Sequence, residues 1–257
     1  MRYLRFLALV AVAALSTGCM RATYTLNLKA DGSGTITQTT ALTQAAMAQL
    51  GMIAGAAGDS LVPTEAKLRA AVSGMGQGVR FVSATPFKAN GFDGMTALYA
   101  FDDVRKLSLN LDRISAAGMD TPMTGGADSE VKVSLAREGD RSVLLLTMPA
   151  IPADAPGQTA MGDSLKNAPP QVDQMMRTML QTMLLEVAIT IDGRIVNTNA
   201  PFVEKNKVVL LRLDGAELIK SGRRLGEIFD MSGGVEASLK KIPGLKLSLQ
   251  PVRIEFQ

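Results

Sequence analysis

The segment from Thr23 to Thr39 has the sequence TYTLNLKADGSGTITQT. Apolar and polar residues alternate on both sides of the step Asp31–Gly32, which is typical of half-buried β-strands. An Asp-Gly step readily adopts the positive φ angles that a tight hairpin turn needs. The segment therefore predicts an antiparallel β-hairpin close to the amino terminus of the folded chain.

Strand and helix patterns continue along the rest of the sequence. Further strands are predicted at 79–88, 95–101, 131–135, 142–148, 186–191, 194–197, 208–213 and, interrupted by Pro251, 245–256. We expect Asp192–Gly193 to close a second Asp-Gly hairpin. Helices are predicted at 41–57, at 63–75 and from Pro169–Pro170 to about Leu185. Neighbouring hairpins with inserted helices predict an α+β fold, an antiparallel sheet of hairpins with helices packed on one face.

The first nineteen residues have the pattern of a secretory signal peptide. Arg2 and Arg5 precede an apolar run at 6–15, which is too short to span a bilayer, since a spanning helix needs about 20 apolar residues. The run ends in Leu-Ser-Thr-Gly before Cys19, the only cysteine in the sequence. We interpret residues 1–18 as a signal peptide and 19–257 as one envelope domain, with a possible internal boundary in the loop 115–129.

Small residues directly before Cys19 resemble a bacterial lipobox. The resemblance implies transfer of a diacylglyceryl group to the sulfur of Cys19, cleavage after Gly18 and acylation of the new amino terminus. The protein is then expected in the cell envelope, held to a membrane by its lipidated cysteine. Because Met20 rather than aspartate follows the cysteine, a Gram-negative host would sort it to the outer membrane, on the periplasmic face or the cell surface.

The composition restricts the possible chemistry. The 257 residues include no histidine, no tryptophan and one cysteine, so the chain alone cannot form a Ser-His-Asp triad, a histidine-ligated metal site or a thiolate zinc site. No spacing of carboxylates, serines or lysines matches a catalytic motif. We therefore expect no enzymatic activity, no cofactor and no metal. Removing Arg2 and Arg5 lowers the formal charge from +3 to +1, which does not favour nucleic acid as a partner.

Two regions of the sequence resemble one bacterial family. Cys19 is followed almost directly by the strand, Asp-Gly-Ser-Gly turn and threonine-rich strand of residues 23–39. The stretch VAITIDGRIVNTN at 187–199 and the strand 208–213 come much later. In these regions the chain resembles the LppM-type domain of bacterial lipoproteins. The resemblance implies a topology similar to lipid-handling α+β domains and a lipid-binding role in the cell envelope.

The predicted helix from Pro169 to Leu185 contains an apolar face rich in methionine. Spacings of three and four residues place these side chains on one side of the helix: Val172, Met175, Met176, Met179 and Met183. Methionine is flexible and polarizable, so such a face suits an acyl chain or a docking protein. The same spacing also fits a helix that packs on a sheet, with methionine filling gaps, and the sequence alone leaves both interpretations open.

Two further features bear on function. Residues 41–58 carry no charge and contain Gly51 and Gly55, which is consistent either with an interfacial or partner-binding helix or with a helix covered by 63–75. The basic pairs at 223–224 and 240–241, together with Lys246, would suit anionic head groups or would simply be solvated. The sequence thus predicts a lipid-anchored, non-catalytic protein that binds a lipid or another apolar envelope ligand. The alternative is an assembly or adaptor lipoprotein that docks a protein partner.

Overall fold

The computed structural model describes residues 20–48, 62–110, 130–149, 169–230 and 234–257. Cys19, the predicted signal peptide, the predicted loop 115–129 and most of 41–58 lie outside these residues. The strands are β1 Met20–Leu28, β2 Gly34–Thr43, β3 Val79–Ala89, β4 Phe92–Phe101, β5 Leu109–Asn110, β6 Glu130–Glu138, β7 Arg141–Thr147, β8 Leu184–Ile191, β9 Ile195–Thr198, β10 Val203–Glu204, β11 Lys207–Asp214, β12 Leu245–Leu247 and β13 Val252–Phe256. The helices are α1 Glu65–Ala70, α2 Pro170–Leu180, α3 Gly215–Lys220, α4 Leu225–Ile228 and α5 Val235–Leu239.

The predicted first hairpin is confirmed, and it forms the middle of the larger sheet. Leu26 of β1 pairs with Ile36 of β2, and both point into the core. In the turn, a carboxylate oxygen of Asp31 accepts hydrogen bonds from the backbone N–H of Ser33 at 2.9 Å and from its hydroxyl at 2.7 Å. A Cβ at Gly34 would lie only 2.0 Å from the carbonyl oxygen of Asn27, so the close approach of the two strands requires glycine there.

Two sheets share one core. The larger sheet has the order β10-β11-β8-β1-β2-β4-β3, with β12 added beside β11, and the smaller has the order β5-β6-β7-β13-β9. The smaller sheet packs at the end of β1 that leads into the turn, where the Ser142 hydroxyl donates to the carbonyl oxygen of Ala30 at 2.8 Å. We call this the distal end of the larger sheet. Leu28, Phe101, Leu144 and Phe256 belong to the large core cluster that joins the two sheets.

The opposite end of the larger sheet, where β1 begins at Met20, is called the proximal end. Helices α2 to α5 gather there around a small cluster whose buried members are Leu218, Leu225, Ile228 and Ile242. At the distal side of the same sheet face, the hydroxyl of Tyr99 donates to the carbonyl oxygen of Leu68 in α1 at 3.1 Å. Burial raises the pKa of Tyr99 to about 12. The helices α1 to α5 therefore pack on the core face of the larger sheet.

The α+β class is confirmed, but the larger sheet is mixed rather than wholly antiparallel. Strand β8 lies parallel to β1, with Arg21 beside Leu184 and Leu28 beside Ile191. Periodicity shows which face a residue occupies and carries no information on strand direction. A parallel pair needs a long crossover, which the chain between β2 and β8 supplies.

The prediction of a second Asp-Gly hairpin at Asp192–Gly193 is wrong. Strand β8 belongs to the larger sheet, whereas β9 pairs with β13 in the smaller sheet. Gly193 lies at the crossing between the sheets, and a Cβ there would lie 2.1 Å from the carbonyl oxygen of Gln257. The stretch 245–256 is divided in the same way, since β12 pairs with β11 and β13 joins the smaller sheet.

Two predicted helices differ from the structure at their ends. The predicted helix 41–57 begins later, because Ala41, Leu42 and Thr43 pair with β4 as the last residues of β2, and residues 44–48 are helical. The predicted helix from Pro169 to Leu185 ends as α2 at Leu180, because Leu184 and Leu185 are already in β8. In both places, pairing with a neighbouring strand satisfies the backbone hydrogen bonds that a longer helix would have used.

Candidate functional site

Helix α2 begins where the two prolines predict. Pro170 occupies the first turn, where its missing N–H costs no helical hydrogen bond and its fixed φ suits the helix. The helix lies within the described residues 169–230, and none of its side chains is fully buried. An amphipathic helix on a sheet usually buries its apolar side chains. In α2, by contrast, every apolar side chain remains at least partly exposed.

The inward side of α2 carries its two charged residues. A carboxylate oxygen of Asp173 accepts a hydrogen bond from the backbone N–H of Leu225 at 3.1 Å, which satisfies a free donor at the start of α4. The guanidinium of Arg177 donates to the carbonyl oxygen of Ile219 at 3.1 Å and also to that of Arg223. Met176 and Leu180 lie on the same side and pack against the small cluster.

The outward side of α2 is uncharged and contains an apolar stripe. Val172 is 37% exposed and Met175 is 52% exposed, while Met179 is half-buried. At 100° per residue these three side chains form a stripe that lies roughly a quarter-turn or more from Asp173 and Arg177. The neighbouring outward residues are Gln171, Gln174 and Thr178. We call the residues Val172, Met175 and Met179 the outer stripe.

Other helices in the described part of the chain present ion pairs to water instead. Such pairs join Glu65 to Arg69 in α1 at 2.8 Å, Glu217 to Lys220 in α3 at 2.5 Å, and Glu236 of α5 to Lys240 at 2.7 Å. The carboxylate of Glu217 raises the pKa of Lys220. All six side chains are more than half exposed. Helix α2 directs its two charges into the domain and the side chains of Val172 and Met175 outward.

The predicted methionine face is thus divided by the structure. Val172, Met175 and Met179 form the outer stripe, whereas Met176 turns toward the small cluster. Met183 lies beyond the end of α2, and its carbonyl oxygen accepts a hydrogen bond from the backbone N–H of Gly215 at 2.9 Å. Of the two interpretations of this face, packing within the domain therefore describes Met176. The predicted lipidation site Cys19 lies outside the described residues.

Close packing fixes α2 at the proximal end. A Cβ at Gly215 would lie 1.7 Å from the carbonyl oxygen of Leu180, so α3 can begin against the end of α2 only with glycine there. The chain leaves α2 and enters β8 at Leu184, which lies beside Arg21 of β1. The carboxyl-terminal end of α2 is therefore close to the beginning of β1.

One of the basic pairs lies next to α2. Arg223 and Arg224 are exposed in the loop between α3 and α4, and the bond from Arg177 to the carbonyl of Arg223 joins this loop to α2. Two of the other basic residues lie beside carboxylates: Lys240 pairs with Glu236, and Lys246 lies 3.3 Å from Glu204. The sequence identified the arginine pair but not its position, because the contact with α2 depends on the tertiary fold.

A charged cluster on the other face of the larger sheet was not predicted. Glu186 is only 8% exposed and lies 2.6 Å from the ammonium group of Lys207 and 3.7 Å from the guanidinium of Arg212. The signal in the sequence was a glutamate inside the apolar run of β8. Each carboxylate oxygen of Glu186 lies close to a cationic side chain of β11, so the cluster stabilises the pairing of β8 with β11.

Other possible sites are less informative. In the part of the chain that the structure describes, no group of three or more acidic or cysteine side chains is arranged to hold a metal ion. No helix among the described residues is long and apolar enough to cross a membrane. A groove of about 500 Å³ lies beside Glu65, Ala66, Arg69 and Ala70 of α1, away from α2.

Comparison with known proteins gives one structural likeness. No family model and no curated protein matches the chain. Among solved structures, the chain is similar to the NMR structure of the folded domain of LppM from Mycobacterium tuberculosis, over 94% of this chain and 91% of that one. The TM-score is 0.37 and the sequence identity is 11%. The expected resemblance to an LppM-type domain is met to this extent, and similarity at this level assigns no function.

Proposed function

We propose that this protein is a lipid-anchored protein of the cell envelope whose non-catalytic domain binds a lipid or another apolar ligand at the outer stripe of α2. The observation that carries the proposal is the orientation of this helix. Its two charged residues, Asp173 and Arg177, are bound to backbone atoms of the domain, and the apolar side chains of Val172 and Met175 face outward.

The exposed apolar side chains of α2 can gain free energy by being buried against a ligand. Full burial of a valine or methionine side chain stabilises by about 1.5–3 kcal/mol. The side chains of Val172 and Met175 do not gain this full stabilisation within the domain, since each is more than a third exposed. Acyl chains would bury them, and the flexible side chains of Met175 and Met179 can adapt to chains of varied shape.

The alternative function is docking of a protein partner. It was based on the uncharged segment 41–58, of which Ala41, Leu42 and Thr43 form the end of β2. These three residues pair with β4 and are buried, so they offer no surface to a partner. The outer stripe favours lipid because its neighbours on α2 itself, Gln171, Gln174 and Thr178, are uncharged, so the helix carries no pattern of charges that would select a particular protein.

Native mass spectrometry of residues 20–257 tests the proposal. All described strands and helices lie in this part of the chain, which is secreted behind a signal peptide without cysteine and purified from the envelope without detergent. We expect co-purified lipid on the wild-type domain. Met175→Glu should remove it, because a charge in the outer stripe opposes contact with acyl chains.

The matched control is Leu145→Glu, which places the same charge at an apolar side chain of β7 that is 39% exposed. This variant should retain the lipid. A lipid-free mass for the wild-type domain, together with a stable protein partner, would contradict the proposal in favour of docking. For the anchor, Cys19→Ser should lose the acyl mass and leave the membrane fraction.

A further inference from the structure

The position of the anchor relative to the fold restricts how the domain can meet a membrane. Cys19 directly precedes Met20, the first residue of β1, and consecutive Cα atoms are about 3.8 Å apart. A lipidated Cys19 therefore leaves almost no tether between the bilayer and the larger sheet. The proximal end of that sheet must lie at the membrane surface.

Helix α2 lies at the same end because β1 and β8 are parallel. Arg21 is beside Leu184, and neighbouring strands are about 4.8 Å apart. Leu180, the last residue of α2, is four residues before Leu184, so the chain between them spans at most about 14 Å. By contrast, β1 carries the chain about 26 Å away to the distal end, at about 3.3 Å per residue.

The chemistry of this end matches a bilayer surface. A helix that lies in the membrane interface buries an apolar face about 5–10 Å deep and carries cations near the head groups. The outer stripe provides the apolar face, and Arg223 and Arg224 provide exposed cations in the loop that Arg177 holds against α2. No charged residue of α2 itself would have to enter the lipid, since Asp173 and Arg177 point into the domain.

We propose that α2 lies in the surface of the bilayer that holds the Cys19 anchor, with Val172, Met175 and Met179 among the acyl chains and Arg223 and Arg224 at anionic head groups. This inference rests on the proposed lipidation and on the proposed lipid contact at the outer stripe. It adds that the lipid is the membrane itself and that the domain is held at two points. The orientation of the whole domain follows, with the smaller sheet directed away from the membrane.

Fluorescence quenching in vesicles tests this orientation with the full-length lipoprotein. Met175→Cys and, as the distal control, Leu145→Cys each introduce one reactive thiol, because the sulfur of a lipidated Cys19 is already a thioether. Both proteins carry an environment-sensitive probe and are reconstituted into vesicles of phosphatidylethanolamine and phosphatidylglycerol that contain nitroxide-labelled acyl chains. We expect several-fold stronger quenching and a blue-shifted emission for the probe at position 175.

The double variant Arg223→Gln, Arg224→Gln tests the head-group contact. It should lower the docking equilibrium constant on the anionic vesicles by about 25-fold, or about fivefold for each arginine. On vesicles of phosphatidylcholine alone it should behave as the unsubstituted protein does, which also shows that the fold is intact. Equal effects on both kinds of vesicle would overturn the contact with anionic head groups.

Equal quenching at positions 175 and 145 would overturn the docked orientation. If residues 20–257 nevertheless carry lipid in the mass spectrum, the proposed function stands and only the orientation fails. If neither lipid nor quenching is observed, both proposals fail. Met175 is 52% exposed, so the labelled protein should keep the far-ultraviolet circular dichroism of the wild type, and the quenching result then refers to a folded domain.

Discussion

The two ends of the larger sheet are built in different ways. At the distal end the smaller sheet covers the larger one, and Leu28, Phe101, Leu144 and Phe256 are almost completely buried in one cluster. At the proximal end, short helices surround a small cluster, and α2 has no fully buried side chain within the described residues 169–230. The difference indicates that the distal end stabilises the fold and that the proximal end is free to present a binding surface.

The two ends of the larger sheet also differ in their hydrogen bonds. At the distal end the connections include backbone bonds, such as the reciprocal pair between Arg194 and Gln257, beside the bond from the Ser142 hydroxyl to the carbonyl oxygen of Ala30. At the proximal end, α2 is attached through the side chains of Asp173 and Arg177 to carbonyl and N–H groups of the neighbouring helices. Regions with few buried apolar contacts open at lower free energy than the core of the same protein. We therefore expect α2 to open before the sheets do.

The largest effect is expected from Phe256→Ala in the distal cluster. The Phe256 side chain is fully buried, and its removal should lower the free energy of unfolding by about 3–5 kcal/mol. Urea unfolding followed by circular dichroism measures the change. A loss no larger than that of the proximal variant described next would contradict the assignment of the main core to the distal end.

A smaller and more local effect is expected from Leu218→Ala in the proximal cluster. Leu218 is also fully buried, but the small cluster can relax around the missing side chain, so the loss should be about 2–3 kcal/mol. Amide hydrogen exchange should become faster in α2 to α5 and remain unchanged in β1 and β2. Equal acceleration in the first hairpin would show that the two ends unfold as one unit.

The smallest effect is expected from Asp173→Ala, which removes the side-chain acceptor at the start of α4. Loss of such a cap should lower the free energy of unfolding by about 1 kcal/mol. Gln174→Ala is the matched control on the outward side of α2 and should change stability by less than about 0.5 kcal/mol. If both variants behave alike in urea unfolding, the inward attachment of α2 through Asp173 is not important for stability.

Much of the local structure could be predicted from short stretches of sequence. The turn Asp31–Gly32 and the alternation around it determine the first hairpin, and Pro169–Pro170 marks the start of α2. The candidate residues on α2 were also found from spacing alone. The spacing did not show which of them face outward, because Asp173 bonds to Leu225 and Arg177 bonds to Ile219 and Arg223, more than 40 residues away.

The sequence by itself determined the hairpin units, the α+β class and the apolar character of α2, since these depend on periodicity and turn residues within about 20 positions. Only the tertiary structure decided that β8 lies parallel to β1, that 184–198 and 245–256 are each shared between two sheets, and that α2 turns its charges inward. The physical reason is that strand pairing and helix orientation depend on long-range partners. Strand β1 can pair with any strand of matching pattern, and in the structure it pairs with β8, whose Ile191 lies beside Leu28 in the core that both sheets share.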